Sequence, residues 1–303
     1  MKLGYIGLGK MGFNMVERLL EKGHAAVVFD KNEEAMLKIS KQGAQTAASM
    51  QSVMEALSPP RLVWLMVPYK AVGPVLHELL PLLREGDAVI DGGNSPYKDS
   101  MRRSAELAEK GVDFLDVGVS GGPGGARNGA CLMIGGKADV FERFEQLFKD
   151  LSADRGYGYM GGPGSGHFVK MVHNGIEYGM MQAVAEGFAV MKASPLHLNL
   201  VKIAELYNHR SVIESRLVGW LKDAFEEYGE DLKKISGSVS QSGEGLWTIE
   251  AAKEIGVPVP IIEGALNFRM ESHQKPSYTG QIVSSLRNQF GGHEVFGKER
   301  GGK

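Results

Sequence analysis

Five polar side chains in one short stretch are spaced to act together. Lys170, His173, Asn174, Glu177 and Tyr178 fall on one face of a helix that turns about 100° per residue. Val169, Val172, Ile176, Met180 and Ala183 fall opposite. The polar stripe offers a base in Lys170, an acid in Glu177, an amide in Asn174 and two ring hydrogen-bonding groups. The plain reading is the solvated face of an amphipathic helix, which is usually built from Glu and Lys. A face that mixes His, Asn and Tyr with a single Lys and a single Glu fits a site equally well.

A second constellation opens the chain. Gly7-Leu8-Gly9-Lys10-Met11-Gly12 is a G-x-G-x-x-G that directly follows a strand-like run at residues 3–6 and begins a helical pattern. The first glycine permits the tight turn, the second lets backbone approach a pyrophosphate, and the third brings helix close to strand. The helix N-terminus attracts the phosphate charge. The motif therefore predicts a dinucleotide site in which Gly7, Gly9, Gly12, Lys10 and Met11 meet the cofactor. Asp30 ends the second strand pattern, where a carboxylate can accept bonds from both adenosine ribose hydroxyls and repel a 2′-phosphate. NAD is thus favoured over NADP, with Lys31 partly offsetting the repulsion. FAD shares the fingerprint, but no second flavin motif accompanies it.

The elements that must position these groups alternate through the first half of the chain. Strand patterns fall at residues 3–6, 25–29, 61–67, 88–91, 114–119 and 131–134, with a short one at 157–160. Helical patterns fall at residues 11–22, 32–42 (capped by Asn32), 72–83, 97–110 and 138–151, and Ser49 opens another short one. Such alternation predicts parallel βαβ units. Gly161-Gly162-Pro163-Gly164-Ser165-Gly166 marks a boundary, and only helical patterns follow, at 167–192, 198–208, 215–227, 245–255, 259–272 and 277–290. The expected fold is an α/β Rossmann-type domain with a mostly parallel, doubly wound sheet (residues 1–165). An all-α substrate and dimerisation domain (166–290) and a glycine-rich tail (291–303) follow it. No internal repeat is evident.

Bulk properties exclude several classes. A net charge of −2 over 303 residues gives no reason to expect nucleic acid or an anionic membrane as partner. The one cysteine, Cys131, cannot close an internal disulfide, which fits a reducing cytosol. It sits in the apolar run Ala130-Cys131-Leu132-Met133-Ile134 and is expected to be an inert core thiol. The start at Lys2-Leu3-Gly4-Tyr5-Ile6 has no leader pattern, and no apolar run approaches the roughly 18–20 residues of a membrane span. A soluble, cytoplasmic protein without a metal site is expected.

Three further motifs carry a resemblance. Asp91-Gly92-Gly93-Asn94-Ser95, then Gly118-Val119-Ser120-Gly121-Gly122 leading to Gly125-Ala126-Arg127 and Gly129, and then the run from Lys170 to Tyr178 resemble the 6-phosphogluconate dehydrogenase family. Its parent group, the β-hydroxyacid dehydrogenases, shares the glycine fingerprint, the Ser-Gly-Gly turn and the lysine. His173-Asn174-Gly175-Ile176-Glu177-Tyr178 is similar to the phosphogluconate branch in particular, and Arg287-Asn288-Gln289-Phe290-Gly291-Gly292-His293 to its C-terminal signature. The resemblance spans nearly the whole chain. The length is similar to the short, NAD-linked branch that lacks a second helical repeat.

The resemblance implies oxidative decarboxylation of 6-phospho-D-gluconate to D-ribulose 5-phosphate and CO2, a step of the pentose phosphate pathway. Lys170 would take the proton of the carbon-3 hydroxyl, which an amine does only when neutral, so its surroundings must lower its pKa. Once protonated, it would stabilise the carbonyl oxygen during decarboxylation, and Glu177 would supply the proton at carbon 1. His173 and Asn174 would hold hydroxyls and the reacting oxygen. Asn94 and the turn of Ser120, Gly121 and Gly122 would bind the carboxylate end and help place the nicotinamide. Tyr178 and Arg269 match phosphate-binding positions, and Arg287 with His293 match residues supplied by a partner subunit, implying a homodimer or a dimer of dimers.

The chain departs from the long enzymes at Ser242 and Glu244, which replace a phosphate-binding lysine and threonine, and at Pro123-Gly124, where the long branch is acidic. Two alternatives stand beside this reading. One is a β-hydroxyacid dehydrogenase for a small unphosphorylated acid such as 3-hydroxyisobutyrate, against which Arg269, Arg287 and His293 argue. The other is a non-catalytic dinucleotide sensor, which would not need the Lys170 and Glu177 pair.

Overall fold

The computed structural model describes residues 1–295, and the chain divides into two compact units, with the boundary between Met171 and Val172. The first unit alternates strand and helix as the sequence predicts. It contains β1 (Lys2–Ile6), α1 (Lys10–Glu21), β2 (Ala25–Phe29), α2 (Glu33–Ser40), β3 (Gln45–Thr46), α3 (Met50–Glu55), β4 (Leu62–Leu65) and α4 (Tyr69–Leu79). There follow β5 (Ala88–Asp91), α5 (Tyr97–Ala108), β6 (Asp113–Ser120), α6 (Gly122–Asn128), β7 (Ala130–Gly136), α7 (Ala138–Leu151), β8 (Ser152–Gly161) and the start of α8 (Ser165–Ala193).

The eight strands form one sheet in the order β3-β2-β1-β4-β5-β6-β7-β8. Neighbours pair in parallel except β6 and β7, which are antiparallel. The first six strands thus have the order of a doubly wound dinucleotide fold, in which ligands bind beyond the carboxyl ends where the order reverses. Here that point lies beside β1. Side chains alternate across each strand, so every central strand feeds two cores. Leu3, Tyr5, Trp64, Leu115 and Val117 pack with Met15 and Leu19 of α1 and Phe148 of α7. Ile6, Val63, Leu65 and Phe114 pack with Val53, Val72, Leu76 and Leu107 from α3, α4 and α5. Just before β4 and β5, Arg61 and Asp87 form a buried ion pair with Nη2 to Oδ2 at 2.6 Å. The Asp87 carboxylate also accepts the backbone N–H groups of Arg61 and Arg84.

Helices are the regular elements of the second unit among its described residues. It continues α8 and adds α9 (Leu200–Tyr207), α10 (Arg216–Tyr228), α11 (Glu244–Glu254), α12 (Pro260–Ser272) and α13 (Tyr278–Gly291). Met181 and Phe188 of α8, Leu221 and Phe225 of α10, and Ile282 and Leu286 of α13 share its main core. Ser215 and Ser277 cap α10 and α13 through their side chains.

Several expectations shift. α4 starts at Tyr69, directly behind Pro68, three residues before the expected start. β8 extends back to Ser152 through the exposed Asp154-Arg155 pair, whose polarity hides it. The two-residue β3 and all of α6 were not expected. Four of the seven α6 residues are Gly or Pro, yet Pro123 sits in its first turn, where a fixed φ and a missing N–H cost nothing. Cys131 is exposed and not a core thiol, because the alternation that buries Ala130 and Leu132 on β7 turns it outward. α13 ends at Gly291 with Gly292 in the left-handed conformation. The expected tail from Gly297 to Lys303 lies outside the described residues. Among the described residues, no helix is long and apolar enough to cross a membrane.

Candidate active site

The dinucleotide motif forms the turn from β1 into α1. Gly7 has φ +103°, and a side chain there would collide with the Met66 carbonyl. Gly12 leaves no room for one against the Gly7 carbonyl, which brings α1 down onto the strand. Gly9 is the α1 N-cap, with no side-chain cap and open space around it. The first amides of a 12-residue helix therefore point to where a pyrophosphate fits. Asp30 is already tied to this loop. Its Oδ2 accepts the Leu8 N–H at 2.5 Å and its Oδ1 the Asn32 N–H at 2.7 Å, so the carboxylate is fixed before any ribose arrives. Lys10 and Lys31 are exposed, and Met11 packs partly into the core. These residues fit an adenine dinucleotide with an unmodified ribose.

Further along the same sheet edge, Asp91 closes β5 and organises the turn that carries Asn94. Its carboxylate accepts from Ser95 Oγ at 2.7 Å, Gly93 N at 3.1 Å and Arg103 Nη1 at 3.3 Å. Burial pushes this carboxyl up from its ordinary range, opposed by His167, Ser95, Arg103 and Gly93. A side chain on Gly92 would collide with the Trp64 indole nitrogen. The neighbouring strand β6 ends in Ser120, followed by Gly121 and Gly122, both with positive φ (+120° and +63°), and α6 begins there.

Two residues before Ser120, Gly118 makes room for Lys170. A Cβ on Gly118 would collide with Lys170 Cβ and stand 2.9 Å from its Cγ. Lys170 is thus pressed against the strand that leads into the Ser-Gly-Gly turn, and is only 6% exposed.

The stripe on α8 is oriented against the usual rule. Asn174 is 9% and Tyr178 4% exposed, whereas Ile176 is 53% and Met180 45% exposed. The polar face turns inward and the apolar face outward, so the stripe is not a solvated face. His173 Nδ1 lies 2.9 Å from Asn174 Oδ1 and 3.9 Å from Glu177 Oε2, an array of groups one helical turn apart.

In the second unit, glycines let α11 close on this face of α8. Gly175 abuts Thr248, and Gly245 lies against the Tyr178 ring. The Tyr178 hydroxyl accepts the Ser242 N–H at 3.4 Å, and the Arg269 guanidinium stacks 3.3 Å from the centre of its ring. Burial pulls Arg269 down to about 10, with Tyr178, Glu177 and Glu244 pulling it back up and Arg287 pushing it lower. Arg287 is lowered too, again by burial first, with Tyr178, Glu177 and Glu244 opposing. Two buried arginines and two carboxylates therefore share one field, and Arg287 Nη1 donates to Ser240 Oγ at 3.1 Å. Arg287 thus stands with Tyr178 and Arg269 of its own chain. His293 is exposed beyond α13, edge-on to Phe290.

Asp116 and His167 are not among the site residues expected from sequence. Asp116 is fully buried in β6 and binds the first turn of α8, and a lone acid inside the apolar run 114–119 was the available signal. His167 carries no comparable mark in sequence. No group of three or more metal-binding side chains occurs among the described residues.

A doubly wound dinucleotide domain and a helical unit with a buried basic cluster, linked by a helix bearing Lys and Glu, define an oxidoreductase of the nicotinamide type. Comparisons with known proteins narrow this. Residues 2–161 match the NAD binding domain of 6-phosphogluconate dehydrogenase, and residues 166–296 match the 6-phosphogluconate dehydrogenase C-terminal domain. An NAD(+)-dependent, decarboxylating 6-phosphogluconate dehydrogenase of Haloferax volcanii is 40% identical over 301 residues, 99% of this chain and all of its own. A Bacillus subtilis protein provisionally named as a 6-phosphogluconate dehydrogenase, YqeC, is 44% identical over 97% of this chain and 98% of its own. The solved Plasmodium falciparum 6-phosphogluconate dehydrogenase superposes with a TM-score of 0.83 at 31% identity, covering 91% of this chain, which spans 62% of that longer one. The chain belongs to the 6-phosphogluconate dehydrogenase family.

Proposed function

We propose that the protein oxidises 6-phospho-D-gluconate at carbon 3 and decarboxylates the product to D-ribulose 5-phosphate, using NAD in preference to NADP. The observation that carries this reading is the seat of Lys170, buried against Gly118 on the strand that ends in the Ser120-Gly121-Gly122 turn. NAD, when bound, accepts the hydride from carbon 3. Lys170 takes the hydroxyl proton as that hydride leaves. Its ammonium then bonds the new carbonyl oxygen while the carbon–carbon bond to CO2 breaks, the electron pair moving into an enediol. Glu177, two turns further along α8 and roughly 10 Å along the axis, delivers the proton to carbon 1. His173 and Asn174 hold the intervening hydroxyls, and Asn94 and Ser120 to Gly122 hold the carboxylate end. Arg269, Arg287, Tyr178 and His293 receive the phosphate.

Asp30, held by Leu8 and Asn32, supports the preference for NAD, since a 2′-phosphate would meet a fixed carboxylate. The alternative substrate class, a small unphosphorylated hydroxy acid, would give Arg269 and Arg287 no phosphate to hold. We further infer a cytoplasmic enzyme that is at least a homodimer. The outward apolar side chains Ile176, Met180 and Val190 on α8 and the exposed His293 support a second copy. The test is incubation with 6-phosphogluconate, gluconate or 3-hydroxyisobutyrate and either NAD or NADP, recording reduced cofactor and CO2 together. Turnover of 6-phosphogluconate with stoichiometric CO2 is expected, and its absence with both cofactors would overturn the assignment.

A further inference from the structure

We propose that Asp116 is a positioning residue for Lys170, holding the first turn of α8 in place from within the sheet. The inference rests on the reading of Lys170 as the base.

A helix N-terminus leaves four backbone N–H groups without internal partners. On α8, two of them point at one buried carboxylate. Gly164 N donates to Asp116 Oδ1 at 2.7 Å and His167 N to Asp116 Oδ2 at 2.8 Å. The acceptor comes from the middle of β6, some 50 residues earlier in the chain, and not from the segment that precedes the helix. A carboxylate suits this place because the helix dipole favours negative charge there and hydrogen bonds to an ionised acceptor are roughly twice as strong as neutral ones.

The space around this contact is made by glycines. Gly135 pairs with Asp116 across β6 and β7, and a Cβ on it would lie 2.7 and 2.9 Å from the two carboxylate oxygens. Gly166 has its missing side chain directed at the Asp116 and Met133 carbonyls, the latter 2.5 Å away. Two residues along β6, on the same face as Asp116, Gly118 receives Lys170. The His167 side chain adds a second tether, with Nδ1 2.7 Å from Ser100 Oγ of α5. Lys170 follows His167 by less than one turn, so these contacts set its height and rotation above the sheet.

An aspartate is required in this arrangement. Asparagine of the same shape offers one acceptor and one donor, so one of the two amides would face an N–H group. The experiment compares wild type with Asp116→Asn and, as a milder perturbation, Ser100→Ala, which removes the second tether and leaves the buried charge. Three quantities are read: kcat and KM with 3-deuterated and unlabelled 6-phosphogluconate, NAD affinity by fluorescence titration, and amide hydrogen exchange of the peptide covering residues 164–170.

For a misplacement of a few tenths of an ångström up to 1 Å, kcat should fall roughly 10- to 100-fold in Asp116→Asn and about 3-fold in Ser100→Ala. The deuterium isotope effect should rise and NAD affinity should stay within about twofold. Exchange should quicken in 164–170 while the other peptides keep their protection. Should Asp116→Asn fail to fold, Ser100→Ala carries the same three readings.

A folded Asp116→Asn with unchanged kcat overturns the proposal. So does a loss of rate with an unchanged isotope effect and exchange raised throughout the chain, which would mark general destabilisation. A Lys170→Ala control separates the two layers. If it remains active, the base assignment fails. If it is inactive while Asp116→Asn behaves as wild type, only the positioning role fails.

Discussion

Replacing Gly118 with alanine adds a methyl group where Lys170 stands. The new carbon would collide with Lys170 Cβ, lie 2.9 Å from its Cγ and 3.0 Å from the Gly166 carbonyl oxygen. None of these is the free end of a flexible chain. Non-bonded carbons rest about 3.5–4.0 Å apart, so clearing Cγ alone moves the first turns of α8 by roughly 0.6–1 Å. Displacing a reacting group by about 1 Å costs on the order of 100-fold in rate, equivalent to about 2.7 kcal/mol of barrier. Overpacking of this kind also lowers stability by about 1–3 kcal/mol.

The glycine loop at β1 is not among the atoms displaced, so cofactor binding should survive. We expect kcat for 6-phosphogluconate oxidation to fall about 100-fold in Gly118→Ala, with NAD affinity unchanged by fluorescence titration and a cooperative but lower thermal transition. A variant that retains nearly all of its kcat would refute the claim that β6 fixes the place of Lys170. A variant that loses NAD binding in proportion would show that the glycine loop had moved instead.

Lys170→Ala should abolish hydride transfer, lowering kcat by at least 10²- to 10⁴-fold, the usual worth of a general base. Glu177→Gln should reduce turnover while still permitting a first cycle of cofactor reduction, as single-turnover absorbance would show. Asp30→Ala should loosen NAD through the freed Leu8 amide and narrow the preference over NADP. The ratio of kcat/KM for the two cofactors measures this, and an unchanged ratio would remove Asp30 from the ribose site. Asp87 gives a pH prediction. Burial alone would push its carboxyl up, but the Arg61 side chain and the Arg61 and Arg84 amides hold it below its ordinary 3.8. Its contribution is therefore present above that pH and lost as pH falls through the lowered value. Asp87→Asn should cost about 3–5 kcal/mol in urea unfolding at pH 7, and the difference from wild type should shrink in acid; a pH-independent difference would contradict the pairing.

Local signals in the sequence located much of the architecture. Strand β5 and helix α7 fall where the apolar pattern placed them, and Asn32, Ser49, Ser215 and Ser277 cap helices through their side chains. Each depends on residues within a few positions, so periodicity and capping chemistry suffice. The glycine turn was legible for the same reason. Periodicity did separate the two faces of α8, but it cannot say which of them faces inward, and here the polar one does. Composition misled at α6, where glycine obscured a helix, and at Cys131, whose apolar neighbours belong to the opposite face of β7. Asp116 meets Gly164 and His167 across some 50 residues, and Arg287 shares a field with Arg269 and Glu244 from three separate helices. Long-range electrostatics of this sort have no signature in a linear pattern.

That Lys170 and Glu177 ride on a single helix divides chemistry from recognition. Their spacing is counted along the backbone: one residue inserted between them would rotate one against the other by about 100°, whereas no substitution elsewhere can change the count. Tyr178 apart, the groups that would grip the far end of a substrate come instead from α12, from α13 with His293 beyond it, and from the segment that opens α11. Those parts can vary independently of the proton-transfer pair. Exchanges such as those at Ser242 and Glu244 can thus retune which acid is held while the bond-breaking apparatus is inherited intact, making the helical unit the part of this architecture most open to new substrates.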